Sequence, residues 1–200
     1  MAINENKVVL TDEQIASKIL YETYQLFALY GIKRVRMNDI ARQCKISRTT
    51  LYKFFKNKRQ IVMEILMTIS YRMDKLMEEL ENDAIPFEEK ISMITEAKLN
   101  MIQEMGEEFV KDIMLDEEYG SILHGFQANM RNQVVAFYKR EQANGNISKE
   151  YEAEFLFDYF LSLQNLIHLE HLAEYYPDMG EMTVAILNIS MRGIWTRPKD

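Results

Sequence analysis

Ten cations stand between Gly31 and Arg59: Lys33, Arg34, Arg36, Arg42, Lys45, Arg48, Lys53, Lys56, Lys58 and Arg59, with Asp39 the single acid among them. Inside that stretch, Ser47-Arg48-Thr49-Thr50-Leu51-Tyr52-Lys53 brings a guanidinium, several hydroxyls, a phenol and an ammonium into seven residues. A guanidinium can pair bidentately with guanine O6 and N7, and a threonine can meet a thymine methyl or a base edge. Hydroxyls and ammoniums fix phosphates. The whole chain of 200 residues carries a formal charge of −7, yet Met1–Leu66 holds twelve Lys/Arg against six Asp/Glu. A local patch, not the total, sets the field at a binding surface, so this segment is expected to seek double-stranded DNA.

No competing chemistry is legible. There is no nucleophile–base pair and no phosphate-cradling glycine loop, so the chain is not expected to be an enzyme. His168 and His171 lie three apart without a convincing carboxylate or cysteine beside them, and neither metal nor cofactor is expected. The sole cysteine, Cys44, excludes an internal disulfide and reads as a small buried hydrophobe. No signal-peptide-like start and no run of eighteen apolar residues occurs, and the expected location is cytoplasmic.

The elements that must position these groups are helices. Seven glycines and three prolines in 200 residues, with 48% hydrophobic content, predict an all-α chain of about nine helices. Thr11 is a plausible N-cap, and Ala16, Ile19, Leu20, Thr23, Phe27 and Tyr30 keep one helical face until Gly31. Met37, Ile40, Ala41 and Cys44 mark a short second helix. Ser47 caps a third from Arg48 to Phe55, with Leu51 and Phe55 inward and Arg48, Thr49, Tyr52 and Lys53 outward. Two short helices joined by about three residues, the second basic outside, form a helix-turn-helix. Further helices are expected at about 57–81, 87–105, 107–115, 118–144, 149–174 and 179–195, with breaks at Gly106, around Gly120, at Asn144-Gly145-Asn146 and at Pro177.

The run GIKRVRMNDIARQCKISRTTLYKFFKNKRQIVMEIL resembles the DNA-binding domain of TetR-family repressors. The likeness rests on Gly31 closing the first helix, on Ile40-Ala41, and on Thr50-Leu51-Tyr52 with Phe55. Two positions depart from the family pattern: Arg36 stands where a hydroxyl cap is usual, with Asn38 or Asp39 to compensate, and Lys45 stands where glycine is usual in the turn. The resemblance implies domains at 1–56 for DNA binding and 57–200 for effector binding and dimerisation. Arg48 is assigned to direct base readout, with Thr49 beside it, and Asn38 to a phosphate or base contact. Thr50, Tyr52, Lys53 and Lys58 match family positions that contact the DNA backbone.

A homodimer on a palindromic operator follows, because one recognition helix covers few base pairs. The resemblance places the dimer contact on the last two helices, which are broadly apolar; Phe155, Leu163, Leu166, Leu187, Met191 and Trp195 are its candidates. The middle helices are implied to hold a small, largely apolar effector that releases the operator. Met101, Met105, Phe109, Phe126, Met130 and Tyr159 are the candidate contacts, since methionine and aromatic side chains adapt to apolar ligands. The rival reading is a DNA-binding adaptor or activator whose helical domain answers to a protein partner.

Overall fold

The computed structural model describes residues 10–164 and 170–194. Among them are nine α-helices, one short 3₁₀ helix and no strand: α1 Asp12–Arg34, α2 Met37–Gln43, α3 Arg48–Phe54, α4 Lys58–Glu79, α5 Phe87–Met105, α6 Glu107–Leu115, α7 Glu117–Ala143, α8 Ala153–Gln164 and α9 Met179–Ile194, with the 3₁₀ turn at Glu170–Glu174. No described helix is long and apolar enough to cross a membrane. Leu166, His168 and Trp195 lie outside the described residues, as does the Met191 side chain.

The helices form two compact units, Met1–Thr68 with Met105–Tyr119, and Ile69–Glu104 with Gly120–Asp200. By packing, then, residues 57–68 and all of α6 go with the helix-turn-helix.

In the first unit, α1 opens on a capping box: Gln14 N donates to Thr11 Oγ1 at 3.2 Å and Thr11 N donates to Gln14 Oε1 at 2.9 Å. Its buried face is Ile19, Thr23, Phe27, Gly31 and Ile32. Tyr30, expected on that face, is 53% exposed, because the seam passes to Gly31 four residues after Phe27. Gly31 has left the helical region (φ 76°), and a Cβ there would stand 2.7 Å from Asp112 Oδ2. Helix α6 packs on α1, with Phe109 stacked on Phe27 and edge-on to Tyr24, both at 5.7 Å between ring centres.

The second unit has its core in Leu80, Phe87, Phe137, Ile147, Leu156 and Phe160. A buried ion pair joins α5 to α7, Lys90 Nζ to Glu141 Oε1 at 2.8 Å, and Asn146 Nδ2 satisfies the other carboxylate oxygen at 2.6 Å. Such a pair survives only where both charges are so satisfied.

Two expected boundaries move. Gly120 does not break a helix but lies within α7, whose start is set at Asp116: its Oδ1 accepts from Glu118 N at 2.9 Å. That cap outweighs the roughly 1 kcal/mol that a glycine costs inside a helix. The single helix expected over 149–174 is also corrected. Gln142 Nε2 donates to the carbonyls of Ser148 and Tyr151 at 2.9 and 2.7 Å, holding a loop through Glu152, and α8 begins only at Ala153.

Candidate nucleic-acid interface

The recognition helix is built from its cap. Ser47 Oγ accepts from Thr50 N at 2.9 Å and shares a hydrogen bond with Thr50 Oγ1 at 2.8 Å, so Thr50 is half-buried and tied to the helix start. Leu51 is fully buried and Phe55 nearly so, which seats α3 on its inner face. Arg48, Thr49, Tyr52 and Lys53 are left exposed, as is Asn38 at the start of α2. Arg48 makes no ion pair or hydrogen bond among the described residues.

The two departures from the family pattern resolve locally. Asp39 Oδ2 accepts from the N-cap amide, Arg36 N, at 3.0 Å, which ties the start of α2 from the N3 side where no hydroxyl cap is present, while Asp39 Oδ1 holds Arg42 at 2.7 Å. Lys45 adopts φ 57° at the turn, where Ile46 N donates to Ala41 O at 3.0 Å and Lys45 N to Arg42 O at 3.1 Å. Cys44 is fully buried there, and its thiol is pushed up to about 11, first by burial and then by Glu22, so it stays protonated at neutral pH.

Lys58 is placed otherwise than a free phosphate-seeking cation would be. Its ammonium donates to the carbonyls of Ile32 and Val35, closing the C-terminal end of α1 onto α4. Burial lowers its pKa even though Asp112, Glu118 and Asp116 act to raise it. Other cations of the basic run are also engaged: Lys33 with Asp116 at 3.2 Å, Arg34 with Glu108 at 3.8 Å, Lys53 with Asp12 at 2.8 Å and Arg59 with Glu118 at 3.8 Å. Residues 107–118 supply six acids against Lys111 alone, so the first unit holds thirteen Lys/Arg against twelve Asp/Glu.

The second unit encloses a cavity of about 130 Å³ between α4, α5, α7, α8 and α9. Its wall is mostly apolar, from residues such as Met73, Ile94, Met130, Phe137 and Leu161, and among the described residues Lys98 is the only charged group in it. Of the candidate effector contacts, Met130 lines this cavity. Met105 and Phe109 are buried in the other unit, Met101 and Phe126 are half-buried off the cavity, and Tyr159 is 39% exposed. Among the candidate dimer contacts, Leu187 lines the cavity and Leu163 packs against the core beside it. Phe155 is 58% exposed and stacks on Tyr159 at 6.3 Å. The sequence reading missed Lys98, whose one signal was its register: it follows Ile91, Ile94 and Thr95 on the inward stripe of α5.

The description "Bacterial regulatory proteins, tetR family" fits residues 19–65, which span all of α2 and α3 and the parts of α1 and α4 around them. That stretch is similar to the DNA-binding domain of the TetR family. A TetR-family regulator from Agrobacterium tumefaciens shares its fold, with a TM-score of 0.73 at 16% identity, covering 93% of this chain and 100% of that one. The complex of SmeT with triclosan, SmeT being the repressor of a Stenotrophomonas maltophilia multidrug efflux pump, gives a TM-score of 0.69 at 12% identity, covering 92% and 93% of the two chains. In sequence, the HTH-type transcriptional regulator YhgD of Bacillus subtilis (strain 168), itself uncharacterized, is 30% identical over 73 residues, 36% of this chain. That match spans 38% of YhgD, whereas the structural likeness extends over nearly the whole of this chain. Residues 19–65 thus match a TetR-type DNA-binding domain, and the all-helical fold is shared with solved TetR-family structures.

Proposed function

We propose that this protein is a repressor that binds a palindromic operator as a homodimer and is released by a small, largely apolar effector. The observation that carries the DNA-binding half is the outer face of α3: a capped, well-seated helix presenting an uncommitted Arg48 beside Thr49 and Tyr52. Arg48 reads a guanine, Thr49 touches the neighbouring base edge, and Tyr52, Lys53, Thr50 and Asn38 position the backbone. Lys58 acts chiefly through the end of α1 that it holds.

The cavity in the second unit supports the effector half, as does the structural neighbour solved in complex with triclosan. Helices α5 and α7 wall that cavity, and both lead by short joints at Gly106 and Asp116 into α6, which packs on α1. A ligand that prefers one spacing of the cavity helices would bias the reading unit through these joints. The exposed Phe155–Tyr159 pair and Ile189, 75% exposed, support α8 and α9 as the dimer face.

The test is selection of bound sequences from a random duplex library with the purified protein, with Arg48→Ala and with Lys53→Ala. The expected result is an inverted repeat whose preference relaxes at one position with Arg48→Ala, at a cost of about 1–3 kcal/mol, and weakens uniformly with Lys53→Ala. An asymmetric half-site, or no enrichment at low salt, would count against a dimeric repressor.

A further inference from the structure

Lys98 sits in an environment that a lone ammonium does not favour. It lines the cavity between α4, α5, α7, α8 and α9, and neither an ion pair nor a hydrogen bond engages it among the described residues. The other polar groups on that wall are Thr95, Gln133 and Tyr138. Thr95 spends its hydroxyl proton on Ile91 O at 2.8 Å, which leaves it an acceptor. The Gln133 amide and the Tyr138 hydroxyl form no hydrogen bond among the described residues. Among the described residues no carboxylate of the five helices lines the cavity beside Lys98, and burial pulls its ammonium down to about 8. A structural lysine on a helix surface would extend its head to water. This one is kept where its charge is desolvated, at a place open to a ligand.

We infer that the cavity takes a small amphipathic monoanion, a compact apolar body carrying one carboxylate that neutralises Lys98. This rests on the effector reading given above and narrows it to a chemical class. The cation supplies the partner that the wall lacks, and the Gln133 amide and Tyr138 hydroxyl are further donors within the same cavity. The apolar remainder would sit among Met130, Phe137 and their neighbours. Size limits the body: an apolar cavity of about 150 Å³ accepts benzene, and this one measures about 130 Å³. Long acyl chains and polycyclic molecules exceed it unless the helices part. A cationic ligand would meet like charge in a low-dielectric wall.

Benzoate, benzamide and benzylamine share one body and differ in charge, so titration calorimetry and thermal melting with the three isolate the charge term. At neutral pH benzoate is expected to raise the melting temperature and to bind at least about tenfold more tightly than benzamide, the margin of one charge-assisted hydrogen bond, with benzylamine weakest. Lys98→Met keeps the side-chain length and removes the charge. It is expected to erase the preference for benzoate and to melt no lower than the parent, since it removes a half-buried cation that has no partner among the described residues. Equal or tighter binding of benzamide or benzylamine would overturn the anion class while leaving an effector cavity in place. Retention of the benzoate preference by Lys98→Met would overturn the role of Lys98. Failure of all three to bind at millimolar concentration, together with a lower melting temperature for Lys98→Met, would make Lys98 structural and remove the cavity from the effector reading as well.

Discussion

Lys45 is the only non-glycine residue with positive φ among those described, and it sits at the turn between α2 and α3. A side chain in that region costs roughly 1–2 kcal/mol, partly offset by the extra freedom that glycine has in the unfolded chain. Lys45→Gly is therefore expected to stabilise the protein by about 0.5–1 kcal/mol, read as a higher urea midpoint with unchanged slope. The need for such a conformation was legible from the missing glycine; that the turn is kept despite the strain is explained by the paired Lys45 and Ile46 amides. Lys98 gives a second prediction at this scale. Its pKa is about 8 in the fold against an ordinary 10.5, so between those values the unfolded chain binds the proton and the folded chain does not. Stability then rises as pH climbs from about 8 to about 10.5, and below about 8 the protein carries a constant penalty. Tyr138, the other titratable group on the cavity wall, is pushed upward by burial and stays neutral through that window. Urea unfolding at about pH 7 and about pH 9.5 should show this gain in the parent minus Lys98→Met difference, and an equal pH response in both proteins would contradict it.

At the scale of elements, helix ends were legible wherever a side chain caps its own chain, as at Thr11 and Ser47. They were misread where the cap competes with a helix-breaking residue or lies across a loop. Gly120 is carried inside α7 because Asp116 sets the start four residues earlier, and Lys149–Glu152 stays out of α8 because Gln142 holds the loop by the carbonyls of Ser148 and Tyr151. Gly106 was read as a break, and the reason for glycine there is tertiary. It has φ 70°, and a Cβ would lie 2.4 Å from Ala28 O, where α1 and the α5–α6 joint come together. Gly106→Ala should cost at least about 2 kcal/mol, combining left-handed strain with the need to push α6 off α1. Thermal melting measures this, and a loss under about 0.5 kcal/mol would mean that the joint yields easily.

Across the whole molecule, charge is where linear reading and packing part company. Met1–Leu66 holds a twofold excess of cations, but folding adds α6 and its flanks, and the first unit comes out at thirteen bases against twelve acids. The acids do not neutralise the reading face evenly: they engage Lys33, Arg34 and Arg59 around the end of α1 and the start of α4, and leave Arg48 on α3 uncommitted. The double change Glu108→Gln with Glu118→Gln should therefore tighten binding to all DNA sequences alike, by a few-fold at low ionic strength, with the gain shrinking as salt shortens the screening length. Fluorescence anisotropy with a random-sequence duplex reads it, and an unchanged affinity would show that these acids lie too far from the phosphates to matter. The sequence by itself determined the all-helical class, the helix-turn-helix and the outward set Arg48, Thr49, Tyr52 and Lys53, because those follow from helical period and caps that act within a few residues. Only the tertiary structure decided that Lys58 closes the end of α1, that α6 belongs with the reading unit, and that Lys98 lines a largely apolar cavity. Each of these depends on which distant helices meet, and no local periodicity encodes that.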